Sequence, residues 1–217
     1  MSFNSQKFSK TIGKLVEFKS GTTRVHINST SWEELIWATL VFLYGEEKID
    51  WDSQSHEKSV DIKANINGKV FKISAKSGSI KNGALTISSY RLTTFNNLAD
   101  KLRFIKNQHE NLDFYLTCSK TMQKEKIIYT IIKIKPNKLA PDWMTKEKNW
   151  TKTKTGYQLK PGFDFKAKIV TKMSNQLWYT IPVSYVKDGI LKEVEILKKN
   201  LGKELIKFLN NLPKSLK

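Results

Sequence analysis

Two short sequence segments carry a carboxylate and an ammonium group at a spacing that permits hydrolytic chemistry. Asp61 lies in the first segment, and after twelve intervening residues the second one ends in Ser74-Ala75-Lys76. A carboxylate and an ammonium brought together at the ends of adjacent strands can hold a divalent metal ion beside a polarised water. That chemistry can cleave a phosphodiester bond. The alternative is an exposed ion pair across a hairpin, which is common and contributes little to stability.

The residues around this pair predict a β-hairpin. Strands are expected over Val60–Asn65 and Lys69–Ala75, and apolar and polar residues alternate clearly on the second one. The turn between them, Ile66-Asn67-Gly68, contains an Asn-Gly pair, which favours positive φ and a tight connection. The hairpin would place Asp61 close to Lys76.

A helix is predicted before the hairpin. Ser31 is the expected N-cap, and Glu34 stands at the third helical position, which is the spacing of a capping box. The helix is expected to run to about Tyr44, where Gly45 stops it. Its apolar residues recur at helical spacing and give it a face that can pack on a sheet.

The residues after the hairpin predict an α/β fold. Ser77–Asn82 is expected to be a loop and Ala84–Ser88 a short extended segment. A helix is expected over Leu92–Asn107, with strands over Asn111–Cys118 and Lys126–Ile134. This order predicts a mixed central sheet flanked by helices.

From Pro136 onward the chain is richer in lysine than it is before that point, with aromatic and polar residues among the lysines. Strands are predicted near Tyr157–Lys160, Phe165–Thr171 and Gln176–Tyr185, and an amphipathic helix over Leu201–Leu212. We therefore expect a core over residues 1–135 and a smaller β-rich lobe with a last helix over residues 136–217. The two parts are expected to form one compact unit.

The composition favours a polyanionic partner. The chain has 38 Lys and Arg against 20 Asp and Glu, which gives a net charge of +18 and a pI near 9.8. Nucleic acid suits this charge, and the alternative is a generic basicity that comes in part from A/T-biased coding. No apolar run approaches the ~20 residues that span a bilayer, and the N-terminus lacks the apolar stretch of a signal peptide. We expect a cytoplasmic protein without a membrane partner.

The sequence offers few sulfur or imidazole ligands for a metal ion. Cys118 is the one cysteine, which excludes an intramolecular disulfide and a cysteine cluster. His26, His56 and His109 do not have the spacing of a zinc site.

The segment from Asp61 to Lys76 resembles the active-site signature of the PD-(D/E)XK nuclease superfamily. The chain as a whole is similar to type II restriction endonucleases, over roughly Ser31 to Ile134 and in the phrases SHEKSVDI, ISAKSG and ISSYRLT. It departs from the signature in two places. Val60 replaces a proline that is often absent, and Ser74 replaces an acidic residue.

The resemblance implies that the missing carboxylate comes from elsewhere in the chain. No acidic residue lies between Lys76 and Asp100, so the leading helix is the expected source, through Glu33 or Glu34. The alternatives for these two glutamates are a solvent-facing position for Glu33 and the capping box for Glu34.

The resemblance also implies the roles of the site residues. Asp61 is the expected ligand of Mg²⁺, with the main-chain carbonyl of Ala75 as a second ligand and Glu34 or Glu33 as the further carboxylate. Oxygen ligands of this kind are those that Mg²⁺ prefers. Lys76 is expected to orient the attacking water, help to deprotonate it and offset charge in the transition state.

Candidate DNA contacts surround the predicted site. Ser88-Ser89-Tyr90-Arg91 is expected in a loop leading into a helix, where main-chain N–H groups and Arg91 can contact phosphate or bases. The alternative is an N-cap followed by a core tyrosine. Lys81 and His56 are further candidates, and His56 is equally well a structural histidine. The aromatic residues Trp143, Trp150 and Tyr157 form either a small core of the C-terminal lobe or a second DNA-facing surface.

The leading hypothesis is a Mg²⁺-dependent type II restriction endonuclease. It would cut double-stranded DNA at a short palindromic site, as a homodimer whose two-fold axis matches the site. The alternatives are a non-catalytic basic DNA-binding protein and an RNA-directed nuclease or ribosome-associated factor. The last is disfavoured because no RNA-binding signature is present.

Overall fold

The computed structural model describes residues 3–51 and 60–211. Its helices are α1 (Ser5–Thr22), α2 (Ser29–Tyr44), α3 (Leu98–Glu110), the short α4 (Pro136–Leu139) and α5 (Lys203–Asn210). Its strands are β1 (Ile49–Asp50), β2 (Ile62–Ile66), β3 (Lys69–Lys81), β4 (Ala84–Arg91), β5 (Phe114–Met122), β6 (Lys126–Ile134), β7 (Trp150–Thr153), β8 (Gly156–Leu159), β9 (Lys166–Val170), β10 (Gln176–Pro182) and β11 (Ile190–Leu197). In these two stretches of chain, no helix is long and apolar enough to cross a membrane.

All of these strands belong to one mixed sheet. Its order is β11-β6-β5-β3-β4-β10-β9-β8-β7, with β2 paired to β3 and β1 to β2. The β3–β5 pair is parallel, whereas β3 pairs antiparallel with both β2 and β4. The predicted α/β fold with a mixed sheet flanked by helices is therefore confirmed. The strands that follow Pro136 join this sheet at two places. β10 pairs with β4 and brings β7, β8 and β9 with it, and β11 pairs with β6 at the other end of the strand order.

The leading helix α2 begins earlier than the sequence predicted. Its N-cap is Asn28, whose side chain accepts a hydrogen bond from the backbone N–H of Ser31 at 2.9 Å, and Ser31 completes the capping box. The prediction that Ser31 is the N-cap and Glu34 the capping-box partner is wrong, since Asn28 is an equally strong cap three residues upstream. The predicted end at Tyr44 and Gly45 is confirmed.

Helix α1 precedes α2 and was not predicted. Asn4 caps it by accepting a hydrogen bond from the backbone N–H of Lys7. Phe8, Ile12 and Val16 recur every fourth residue on its buried side. That spacing is the signal that identifies an amphipathic helix, and here it was missed.

Strand β3 is longer than predicted. The segment Ser77–Asn82, predicted to be a loop because of its glycine and serine, instead continues β3 to Lys81 and turns at Asn82-Gly83. Pairing with β5 on one edge and β4 on the other holds it extended. Gly78 permits this pairing, because a Cβ there would lie 2.4 Å from the carbonyl oxygen of Thr86.

Two apolar clusters lie on opposite faces of the sheet. The first joins α1 and α2 to one face, where Leu116 and Cys118 of β5 contribute. The second joins α3 to the other face, where Tyr115 of β5 contributes. Side chains alternate between the faces of a strand. Helices thus cover the first face over β2, β3, β5, β6 and β11, while β4 and β10 bury their apolar residues only in the second cluster.

The second cluster contains a buried polar network centred on His109 of α3. The hydroxyl of Tyr115 lies 3.2 Å from His109 Nδ1 and 2.6 Å from the hydroxyl of Tyr90, and the hydroxyl of Tyr179 lies 3.5 Å from His109 Nε2. Burial lowers the pKa of His109 to about 3. The imidazole is therefore neutral in the folded protein at physiological pH.

We expect His109 to make the folded protein sensitive to acid. Because its pKa is lower in the folded than in the unfolded chain, only the unfolded chain takes up this proton between about pH 6.5 and pH 3. Stability is then lost as the pH falls, by about 2 kcal/mol from this group at pH 5. Urea unfolding at pH 7.5 and pH 5 measures the difference. His109→Gln should remove this pH dependence, whereas the control His26→Gln should retain most of it.

Candidate active site

Strand β3 changes partners where the predicted site residues lie. Ile73 is paired with β2 on one edge and β5 on the other, and Gly78 is paired with β4 and β5 in the same way. β2 and β4 therefore share one edge of β3, and neither of these two ladders includes residues 74–77. We call this opening between β2 and β4 the fork. The edge of β3 at the fork is open to side chains.

Asp61 occupies the fork. It directly precedes β2 and its backbone N–H donates to the carbonyl of Ile73 at 2.9 Å. Its Oδ2 accepts three hydrogen bonds, from Ser74 Oγ at 2.9 Å, the backbone N–H of Ala75 at 2.7 Å and Lys76 Nζ at 3.0 Å. The strand edge and the residues that follow Ile73 thus fix the position of this carboxylate.

The Asp61–Lys76 pair is not an ordinary surface ion pair. The side chain of Lys76 is 18% exposed and that of Asp61 is 23% exposed. Lys76 Nζ also donates to the carbonyl oxygen of Ala75 at 2.9 Å. The ammonium therefore sits between Asp61 Oδ2 and Ala75 O, the two oxygens that the resemblance named as metal ligands.

The structure distinguishes between the two glutamates of α2. The pKa of Glu33 is raised by burial and by the negative charge of Asp61, while the positive charge of Lys76 acts in the opposite direction. Glu33 therefore lies within electrostatic reach of the fork. Glu34 instead pairs with Lys19 of α1 at 3.2 Å, and its side chain is exposed.

The donor set at the fork is made of oxygen atoms. In the described ranges 3–51 and 60–211, no group of three His, Cys, Asp or Glu side chains is placed to hold a metal ion. The fork offers the carboxylate of Asp61 and the carbonyl of Ala75, with the carboxylate of Glu33 nearby. One or two carboxylates with waters suffice for Mg²⁺, which favours hard oxygen ligands. The ammonium of Lys76 lies between two of these oxygens, so the position already holds a positive charge, and its oxygen donors are of the kind that Mg²⁺ prefers.

The predicted DNA-contacting segment Ser88–Arg91 lies on β4, and the expectation that it leads into a helix is wrong. β4 continues to Arg91 because it pairs with β10, and α3 begins only at Leu98. Tyr90 is buried and its hydroxyl lies 2.6 Å from that of Tyr115. Tyr90 is therefore a core residue, as the alternative reading held.

The other candidate DNA contacts differ from Tyr90 in that they are not buried in the core, as far as the structure describes them. Arg91 and Lys81 are exposed at the ends of β4 and β3. Ser88 and Ser89 are half-buried. His56 lies outside the described residues.

The aromatic residues of the C-terminal part belong to the second apolar cluster. Trp150 is buried and its indole N–H donates to the carbonyl of Met144 at 2.7 Å. Trp143 stacks on Phe163 with 4.6 Å between ring centroids. These contacts favour the core role, which was one of the two alternatives that the sequence left open.

The sequence interpretation missed Lys166 and Lys168 of β9, although their alternation with Ala167 and Ile169 is a strand pattern with one polar face.

Comparison with known proteins adds one structural likeness. No protein-family model matches the chain, and no curated protein matches it. The chain is similar to a solved structure described as "Restriction endonuclease in complex with substrate DNA", with 15% sequence identity, 82% of each chain covered and a TM-score of 0.39.

Proposed function

We propose that this protein is a Mg²⁺-dependent endonuclease that hydrolyses phosphodiester bonds in double-stranded DNA, in the manner of a type II restriction enzyme at a short palindromic site. The observation that supports it most is the arrangement at the fork, where Lys76 Nζ bridges Asp61 Oδ2 and Ala75 O. The net charge of +18 suits a polyanionic substrate.

The residues of the fork suit this reaction. Asp61, Ala75 O and Glu33 would hold Mg²⁺, which when bound supplies positive charge to a phosphate oxygen and acidifies a water. Ser74 Oγ and the backbone N–H of Ala75 keep the Asp61 carboxylate oriented. Lys76, released from the two oxygens that it bridges, would orient the attacking water and neutralise charge that develops on the scissile phosphate.

Incubation of supercoiled plasmid with the protein, with Mg²⁺ and with EDTA, tests the proposal. Discrete linear fragments that require Mg²⁺ are the expected result. An Asp61→Asn protein purified in the same way controls for contaminating nucleases. A gel shift without cleavage across buffers and divalent metals would contradict the proposal and favour a non-catalytic DNA-binding protein.

The proposed homodimer is supported by helix α5. Four of its side chains are large, apolar and 45–63% exposed: Leu205, Ile206, Phe208 and Leu209. α5 packs against α1, while these four side chains stay exposed. Together these side chains expose on the order of 400 Å², roughly half of the ~800 Å² that one partner buries in a standard interface. A second copy placing α5 against α5 about a two-fold axis would cover this face.

We expect the double variant Leu205→Lys and Phe208→Lys to be monomeric. The lysines would place like charges in the centre of the α5 contact, and Glu204, the acidic residue of α5, is already paired with Lys207. Light scattering after size exclusion should give twice the 25.1 kDa of one chain for the wild type and a single chain for the variant. Phe42→Lys, at a 77% exposed apolar residue of α2, is the matched control and should remain dimeric. A monomeric wild type would contradict the dimer.

A further inference from the structure

The first face of the sheet carries a polar surface beyond the area that α1 and α2 cover. One row of paired residues crosses four strands, from Ser88 of β4 through Trp178 of β10 and Lys168 of β9 to Gln158 of β8. Lys166 lies two residues from Lys168 on the same face. We call the surface formed by these residues the basic half-face.

The burial pattern shows that the basic half-face points away from the apolar core. On β9, Lys166 and Lys168 are exposed, whereas Ala167 and Ile169 are buried in the second cluster. On β10, Trp178 is half-buried while Leu177 and Tyr179 are fully buried. One side of these strands therefore packs on the core and the other faces solvent.

The charge on this surface has one sign. Residues 77–91 and the strands β7, β8, β9 and β10 contain no Asp or Glu, in a chain with 20 acidic residues. An antiparallel sheet can expose one face to water without binding anything. A face that carries lysines and a half-buried tryptophan, with no acidic residue on its strands, instead complements a polyanion.

The basic half-face borders the fork through strands β3 and β4. Ser79 of β3 pairs with Thr86 of β4, and both lie on the first face. Lys76, three residues before Ser79, leaves the strand on the second face, and its Nζ lies at the open strand edge with Asp61 Oδ2 and Ala75 O. A nucleic acid lying across β4, β10 and β9 therefore meets the fork at this open edge, without crossing the helices that cover the other half of the first face.

We propose that the basic half-face binds the phosphate backbone of duplex DNA and sets its position at the fork. This inference rests on the proposed function, since it assigns the surface that holds the substrate of that site. Lys166 and Lys168 are the phosphate contacts. Trp178 and Gln158, on either side of Lys168 in the row, are the side chains that lie against the sugars and groove edges.

Binding of a fluorescent random-sequence duplex in EDTA tests the surface separately from cleavage. Lys166→Gln with Lys168→Gln should weaken affinity about tenfold and reduce the slope of log K against log salt by about 2, because each phosphate contact contributes about 0.9. Lys166→Arg with Lys168→Arg should bind like the wild type and shows that the strand still folds. The matched control is Lys10→Gln with Lys14→Gln, an equal loss of charge at exposed residues of α1.

The control lies far from the basic half-face, because α1 packs on β11 at one end of the strand order and β9 lies towards the other. Equal weakening by both glutamine pairs would overturn the proposal, since net charge alone would then explain binding. Equal competition by duplex RNA would overturn the assignment to DNA. A binding loss specific to Lys166 and Lys168 in a protein that cuts no plasmid would refute the nuclease and leave the surface intact.

Discussion

Lys76→Ala should lower the rate of plasmid cleavage by about a thousandfold or more, and Asp61→Asn should do the same. Each residue makes contacts that the other cannot replace. Lys76 is the ammonium at the fork, and Asp61 Oδ2 is the acceptor shared by Ser74, Ala75 and Lys76. Initial rates of supercoil loss in saturating Mg²⁺ measure the effect.

The same variants should bind DNA within about an order of magnitude of the wild type, because the proposed loss is confined to the transition state. Lys72→Ala is the matched control, since Lys72 lies on β3 in the part that pairs with β2. It should cleave at close to the wild-type rate. Retained cutting by Lys76→Ala or Asp61→Asn would refute the assignment of the site.

Glu33→Gln should lower cleavage by about a hundredfold, whereas Glu34→Gln should change it by less than about twofold. Glu33 lies in the field of Asp61 and Lys76, and its carboxyl pKa is raised by burial and by the charge of Asp61. Glu34 makes a surface ion pair with Lys19. The two substitutions remove one charge each from adjacent positions of α2, so each is the control for the other.

Cleavage rates measured over a range of Mg²⁺ concentrations test whether Glu33 acts as a metal ligand and Glu34 does not. Glu33→Gln should require more Mg²⁺ for half of its maximal rate, because it removes one oxygen ligand. A loss of cleavage in Glu34→Gln with normal cutting by Glu33→Gln would reverse the assignment made from the structure.

The sequence predicted the parts of the site that depend on near neighbours. The Asn67-Gly68 turn has positive φ at both residues, as the Asn-Gly pair required, and it pairs β2 with β3. That pairing brings Asp61 to Ser74, Ala75 and Lys76. β6 also has the predicted bounds, because its apolar run is long and clearly delimited.

Features that depend on distant pairing were not predictable in the same way. The extension of β3 to Lys81 needs β5, whose pairing residues lie about 40 positions later in the chain. The choice between Glu33 and Glu34 depends on α1, where Lys19 engages Glu34. β11 was missed because its partner, β6, lies more than 50 residues earlier.

The unbroken length of β3 has a consequence for where a cut would fall. Lys76 at the fork and Lys81 beside the basic half-face lie on one strand, five residues and therefore about 17 Å apart. That distance equals the rise of about five base pairs of duplex DNA. In the proposed nuclease, β3 would fix the distance between the cleaved phosphate and the first contacted part of the duplex. The offset of the cut from the bound part of the duplex would then be set by the backbone of β3, and side-chain changes on the basic half-face would alter how tightly the duplex is bound without moving the cut.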